Sequence, residues 1–263
     1  GGLTRAQKTE LKFKNTLKAE GFLEACNYSF GSPKDFDLLR LPQNAPERNA
    51  VAIRNPIGED LSVMRTTLCA TMLQNIVRNV RRGNDTGRLF ELANVYLADM
   101  LPLQTLPLER KTCVMGLWGE GDFFDMKGAV EAIGEAFDLN LSFERAEKSF
   151  LHSGKTAAVK LGEKTVGYLG ELHPAIANEL ALEKPAYLCE LDYAALSKKF
   201  SKDISYRNLP KFPSIRRDLA VVVNESVTCA DATACILRAC KAVKKAELFD
   251  VYRSDALGSD KKS

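Results

Sequence analysis

From Thr112 onward the chain lays down apolar, β-branched stretches at spacings too short for helical crossovers. That spacing restricts the fold more than any other feature. Residues 112–118 (TCVMGLW), 157–161, 165–170 and 187–192 each read as strands, and only Gly162, Glu163 and Lys164 separate the second from the third. A parallel pair needs a crossover of about a dozen residues or more, so successive strands here must run antiparallel. Residues 88–97 (RLFELANVYL) add an earlier strand, and 22–30 (FLEACNYSF) and 51–54 read as two more. Helices are fewer. Thr4 can cap one that runs to about Glu20 and stops at Gly21. Residues 67–82 carry Leu68, Met72, Ile76 and Val80 at helical spacing before Gly83, and Asp125 can cap a third helix to Phe137. The fold class expected is α+β: an antiparallel sheet with a few flanking helices.

Charge divides the chain unevenly. Residues 197–263 carry 14 Lys+Arg against 8 Asp+Glu, whereas residues 1–196 carry 23 against 26. The boundary falls in a basic, proline-punctuated stretch, so we read residues 1–196 as one domain, 197–213 as a linker and 214–263 as a second domain. There, 218–223 reads as strand, 228–242 as helix and 247–252 as strand. A net positive tail suits a polyanion, and it equally suits a solvated linker. No apolar run approaches the roughly 20 residues of a spanning helix, so no membrane role is expected. The seven cysteines include no CxxC pair and only two histidines exist, which builds no zinc site. A scattered odd count fits a reducing cytoplasm, with cysteines as small buried hydrophobes. The start, Gly1-Gly2-Leu3, fits a piece of a longer polypeptide.

Common catalytic arrangements fail on inspection. His152 and Ser153 are adjacent and lack a Gly-x-Ser-x-Gly elbow, so they form no nucleophilic triad. His173 precedes Pro174 and reads as a turn-capping residue. Asp122, Asp125 and Glu131 cluster at a helix start, where capping accounts for them without a metal. No phosphate-cradling glycine loop is present. Arg78, Arg81 and Arg82 end the clearest helix. They complement its dipole, with phosphate contact as the alternative reading.

Five strings in order resemble the bacterial phenylalanyl-tRNA synthetase β-subunit family: NPIGEDLSVMRTTL (55–68), LFELANVY (89–96), FFDMKGAVEA (123–132), VGYLGELHP (166–174) and FPSIRRDLAVVV (212–223). In the last, Pro213, Arg217 and Asp218 match the start of the family's ferredoxin-fold anticodon-binding domain. The resemblance implies the C-terminal part of such a subunit. It would hold a class II synthetase-like module of antiparallel sheet and flanking helices, then a partial ferredoxin-like (split βαβ) domain. Implied partners are the catalytic α subunit, in a two-α, two-β assembly, and tRNA(Phe). Implied location is the cytoplasm.

The departures from the family's active relatives matter as much. Active class II sites resemble this chain up to Val95-Tyr96 and then place an arginine on the ATP α-phosphate; here Leu97 follows. A second arginine closes their third motif, whereas residues 189–196 (CELDYAAL) contain none. The resemblance therefore implies a module with no catalytic residue, no metal site and no cofactor of its own, ATP and magnesium being used by the holoenzyme. Between Trp118 and Phe123 the family usually carries a longer loop. By the same resemblance, a first-motif helix and strand make the subunit contact, which assigns Leu11, Phe13 and Leu17 to an interface. With Arg217 and Asp218 serving the fold, Lys211, Arg216, Lys241, Lys244 and Lys245 are the expected RNA-contacting residues. A free-standing ATP-dependent amino-acid ligase would need the missing arginines. The other rival is a non-catalytic RNA-binding or scaffold protein with a synthetase-like fold, and it rests on the basic tail alone.

Overall fold

A computed structural model describes residues 2–200 and 211–263. The chain divides into two compact units, one on each side of the segment between those ranges.

The first unit opens with α1 (Arg5–Ala19). Thr4 and Gln7 form a reciprocal capping box at its start, and Gly21, at φ +83°, turns the chain out of it. Next come β1 (Leu23–Glu24), β2 (Phe30–Gly31), α2 (Lys34–Leu38) and β3 (Val63–Met64). Then follow α3 (Cys69–Val80), β4 (Gly87–Leu97), β5 (Leu108–Trp118), α4 (Phe123–Phe137) and β6 (Leu141–Arg145). β7 (Leu151–Leu161), β8 (Lys164–Leu172), α5 (Pro174–Glu179), β9 (Ala186–Leu191) and α6 (Tyr193–Ser197) complete it. Seven strands make one sheet in the order β1-β4-β5-β9-β8-β7-β6, and only the β1–β4 pair is parallel. β2 and β3 form a separate antiparallel pair. Helices cover both faces of the sheet. α1, α4 and α6 enclose one core around Phe13, Phe90, Met115 and Ile133. The other lies under α2, α3 and α5, around Met72, Ile76, Val95 and Leu188. The architecture is mixed α+β with a mostly antiparallel sheet.

Several expected boundaries move. The strand expected over 22–30 is reduced to Leu23–Glu24 and, in the separate β2–β3 pair, Phe30. Ala25 still donates to Phe90 O at 2.7 Å, but the Asn27 amide turns to the Glu91 side chain and leaves the ladder. Residues 51–54 contribute one isolated bridge, Ala52 to Val63. α4 begins earlier than expected because Asp122 is the cap and Asp125 its partner in the capping box. The short connection from Trp118 is closed by Gly119 and Gly121, both at positive φ. A Cβ on Gly119 would lie 2.0 Å from Asp85 O, so the turn tolerates no side chain there. β6 is a half-exposed edge strand with no counterpart in the sequence reading.

The first domain also reaches past residue 196. Phe200 is buried, stacks on Phe137 at 3.9 Å between ring centroids, and meets Phe13 and Tyr193. The expected linker therefore begins too early, because Phe200 belongs to the core; its 201–210 portion lies outside the described residues.

The second unit contains β10 (Val223–Asn224), α7 (Cys229–Ala239) and β11 (Lys261–Lys262). Thr228 and Asp231 form the capping box of α7. β10 and β11 are antiparallel, with Val223 opposite Lys262. On the other side of the same segment, Tyr252 and Ser263 exchange two backbone hydrogen bonds of 2.7 and 2.9 Å. The segment 261–263 thus lies between the two stretches expected as strands, the order of a split βαβ unit. Those stretches do not become full strands: residues 218–222 and 247–252 are in no ladder. The helix likewise ends at Ala239 and not near Ala242.

Candidate functional site

The parity of β4 sorts its side chains between the two cores of the sheet. Phe90 and Leu92 enter the core under α1 and α4, whereas Leu89, Ala93, Val95 and Leu97 pack toward α3. Leu97 is half-buried and faces Leu108 in the last pair of the β4–β5 hairpin. It follows Val95-Tyr96 directly and brings no charge to this end of the strand. In β9 every residue is buried, with Cys189 and Leu191 in the α1–α4 core.

Three buried charged residues on the α3 side are engaged by the fold. Glu190 Oε1 accepts from Thr67 Oγ1 at 2.8 Å and from the Leu68 N–H at 2.7 Å, while Oε2 accepts from the Tyr168 hydroxyl at 2.8 Å. Burial, reinforced by Cys69 and Glu190, pushes the Tyr168 phenol well up, so it stays a donor. The Arg65 guanidinium donates to Glu91 Oε1 at 3.0 Å, to Tyr28 O at 3.0 Å and to Asn94 O at 3.1 Å. Asn27 Nδ2 donates to the second Glu91 oxygen at 2.7 Å, and Asn75 donates to Asn27 Oδ1 at 3.1 Å. These carboxyls and this guanidinium point at one another and at backbone, an arrangement that holds elements together. Sequence reasoning missed them. The signal was a lone charge inside an apolar strand, LFEL and YLCEL, where a solvated face would alternate. It also missed Arg110 on β5, opposite Val95 on this face, whose Nε is buried without a hydrogen-bond partner among the described residues.

The other candidates find structural work. His173 Nδ1 accepts from the Ala175 N–H at 3.2 Å and caps α5, as a turn histidine should. His152 Nδ1 accepts from the Gly154 N–H at 2.9 Å, and Ser153 is exposed beside it. Asp122 and Asp125 cap α4, and Glu131 pairs with Lys127. No group of three or more His, Cys, Asp or Glu suited to a metal occurs among the described residues. No helix there is long and apolar enough to cross a membrane. Cys69, Cys113 and Cys189 are buried as expected, whereas Cys26, Cys229, Cys235 and Cys240 are exposed, contrary to expectation.

The residues assigned to a subunit interface separate. Phe13 and Leu17 are fully buried in their own chain's core, because α1 turns that face onto α4 and α6; they are not interface residues here. Leu11 is 45% exposed.

Lys211, Arg216, Lys241, Lys244 and Lys245 are all exposed. The lysines 241, 244 and 245 follow the end of α7. Lys244 Nζ reaches Lys241 O at 3.4 Å, and Lys245 pairs with Glu247. Arg216, Arg217 and Asp218 lie outside any strand and are equally exposed, so the strand parity expected to separate their roles does not operate. Leu219 and Val221, expected to face the helices, are exposed as well.

Comparison with known proteins follows this division. Residues 1–193 match the family described as the phenylalanyl tRNA synthetase beta chain CLM domain, and residues 210–263 match the ferredoxin-fold anticodon binding domain. The phenylalanine--tRNA ligase beta subunit of Clostridium acetobutylicum is 36% identical over 265 residues, which cover 100% of this chain and 33% of that protein. Those of Hahella chejuensis and Geobacillus kaustophilus are 36% and 35% identical, over 96% and 100% of this chain and 32% and 34% of theirs. The chain thus spans about a third of the length of the curated relatives it matches. Among solved structures, pyrrolysyl-tRNA synthetase from Desulfitobacterium hafniense superimposes with a TM-score of 0.58 at 13% identity, over 76% of this chain and 74% of that one, a likeness of fold alone.

Proposed function

The chain belongs to the phenylalanyl-tRNA synthetase β-chain family, and on that premise we propose that it supports a catalytic α subunit and binds tRNA(Phe) without forming an aminoacyl adenylate itself. The observation that carries this reading is Leu97. It occupies the position of a phosphate-binding arginine, and it packs with Ala93 and Val95 against the α3-side core. Adenylate formation develops charge on phosphate that only preorganised donors can hold in a site shielded from water. Arg110 supplies one guanidinium on this face and does not replace the two clamps, the second of which is missing from β9 and α6. The module is a class II fold retained for shape, and residues 211–263 are the part of the protein that meets RNA.

The assembly follows from the same reading. A two-α, two-β holoenzyme in the cytoplasm would use ATP and magnesium in the α subunit, with Leu11 on the exposed face of α1 at the contact. Lys211, Arg216, Lys241, Lys244 and Lys245 would neutralise tRNA phosphates. The domain division we propose is a module through Phe200 and a tail domain after the segment 201–210.

Phenylalanine-dependent exchange of pyrophosphate into ATP tests the catalytic half. The purified chain should show none, since two missing clamps reduce the rate by roughly 10⁴-fold or more. Robust exchange without an α subunit would overturn the reading. For the RNA half, Arg216→Ala in the intact ligase should flatten the plot of log tRNA affinity against log salt by about one unit; an unchanged slope would place the RNA surface elsewhere.

A further inference from the structure

The C-terminal half of α3 borders a cleft that the synthetase reading does not use. Its floor is aliphatic: Leu38 from α2, Leu73 and Val77 from α3, and Leu180 just after α5. Its rim is Arg78, Arg81 and Arg82, all exposed. Arg81 and Arg82 make no ion pair among the described residues, and Arg78 has only a long hydrogen bond to Asn75 Oδ1 at 3.4 Å. Nearby carboxyls are occupied elsewhere, Glu179 with Arg40 at 2.5 Å, and Asp35 with Gln74 at 2.7 Å and the Ser32 N–H at 3.0 Å. The dipole of α3 favours cations at this end, which accounts for one or two of them, but a helix terminus alone does not need an apolar trough beside it.

We infer that this cleft docks a segment of a partner protein that carries leucine-like side chains flanked by carboxylates. Charge complementarity selects the acidic flanks: three guanidinium groups on one rim, without an ion pair among the described residues, match carboxylates through paired N–H donors. The aliphatic floor selects the apolar anchor: Leu73 and Val77 are buried, and the half-buried Leu38 and Leu180 offer the apolar surface that a docked side chain would cover. An RNA strand fits less well. Its phosphates would use the rim, but no aromatic side chain lines the floor to stack a base. The inference does not depend on the synthetase reading.

The test is a titration of the chain, methyl-labelled at Leu and Val, with a fluorescein-labelled peptide whose central leucine pair is flanked by glutamates. The expected result is saturable binding that shifts the methyls of Leu38, Leu73, Val77 and Leu180. Affinity should fall about tenfold or more in Arg81→Glu/Arg82→Glu. These two side chains are exposed, so the variant's own methyl spectrum reports that folding is intact. The same peptide with serine in place of leucine should not bind. Four results would overturn the inference: no saturable shift, equal affinity for the double variant, tighter binding of oligouridylate through the same arginines, or self-association of the chain that shifts these methyls without peptide.

Discussion

Glu190, in β9, accepts a hydrogen bond from the backbone N–H of Leu68, 2.7 Å away and 122 residues earlier, so a strand carboxyl caps the first turn of α3. Leu68 has no side-chain cap of its own, and an anion at this end of a helix is favoured by its dipole. Because Thr67 and Tyr168 donate to the same carboxyl, one residue ties α3 to β8 and β9.

Glu190→Ala should therefore cost about 3 kcal/mol or more in urea unfolding, since it strands three buried donors at about 1–3 kcal/mol each before relaxation. Glu190→Gln keeps one acceptor and should cost less. A loss for the alanine variant within about 0.5 kcal/mol, the range of an ordinary surface substitution, would mean that α3 is placed by packing alone.

The ion pair of Arg65 and Glu91 makes a different prediction, because both side chains are nearly inaccessible, at 5% and 3% exposure. Arg65→Met leaves a buried carboxylate without its cation and should destabilise by about 3–5 kcal/mol. Adding Glu91→Leu should recover part of that loss. A double-mutant cycle in chemical denaturation measures the coupling; simple additivity would show that the two side chains act independently.

What could be read from the sequence depended on whether local chemistry decided the outcome. α1 was legible because Thr4, Gln7 and Gly21 fix both ends through short-range hydrogen bonds and a positive φ. β4 and β5 were legible because their apolar runs pair along the whole hairpin. Residues 22–30 were misread because Asn27 answers to Glu91, a partner far along the chain. Phe200 was placed in a linker because neighbouring lysines and a proline outweighed one aromatic, and only the assembled ring cluster of Phe13, Phe137 and Tyr193 shows where it goes. At the candidate site the absence of charge at Leu97 was legible from the motif order. The ties made by Glu91 and Glu190 required knowing which strands become neighbours.

The last prediction concerns acid. Glu24 bridges Lys14 at 2.7 Å and Lys18 at 3.4 Å; the hydrogen bond from Lys14, partly opposed by burial, holds its carboxyl below the ordinary range. Glu10 is pushed up by burial but, on balance, held below its ordinary value by Lys111 and Lys14, at 2.6 and 3.4 Å. A carboxyl whose folded pKa is depressed adds stability above its unfolded pKa, about 4.3 for Glu, and loses it as pH falls through the folded value. Asp35 has the opposite sign: burial raises its pKa, so its contribution is lost as pH rises from the unfolded value to the folded one. Glu24→Gln should therefore reduce stability near pH 7 by about 1 kcal/mol or less, in keeping with partly exposed pairs. In urea unfolding at successive pH values the gap between the two proteins should close on the acid side, once Glu24 is protonated in both states. A gap that stays constant down the acid limb would mean that Glu24 contributes through packing, and that the lysines of α1 add nothing by their charge.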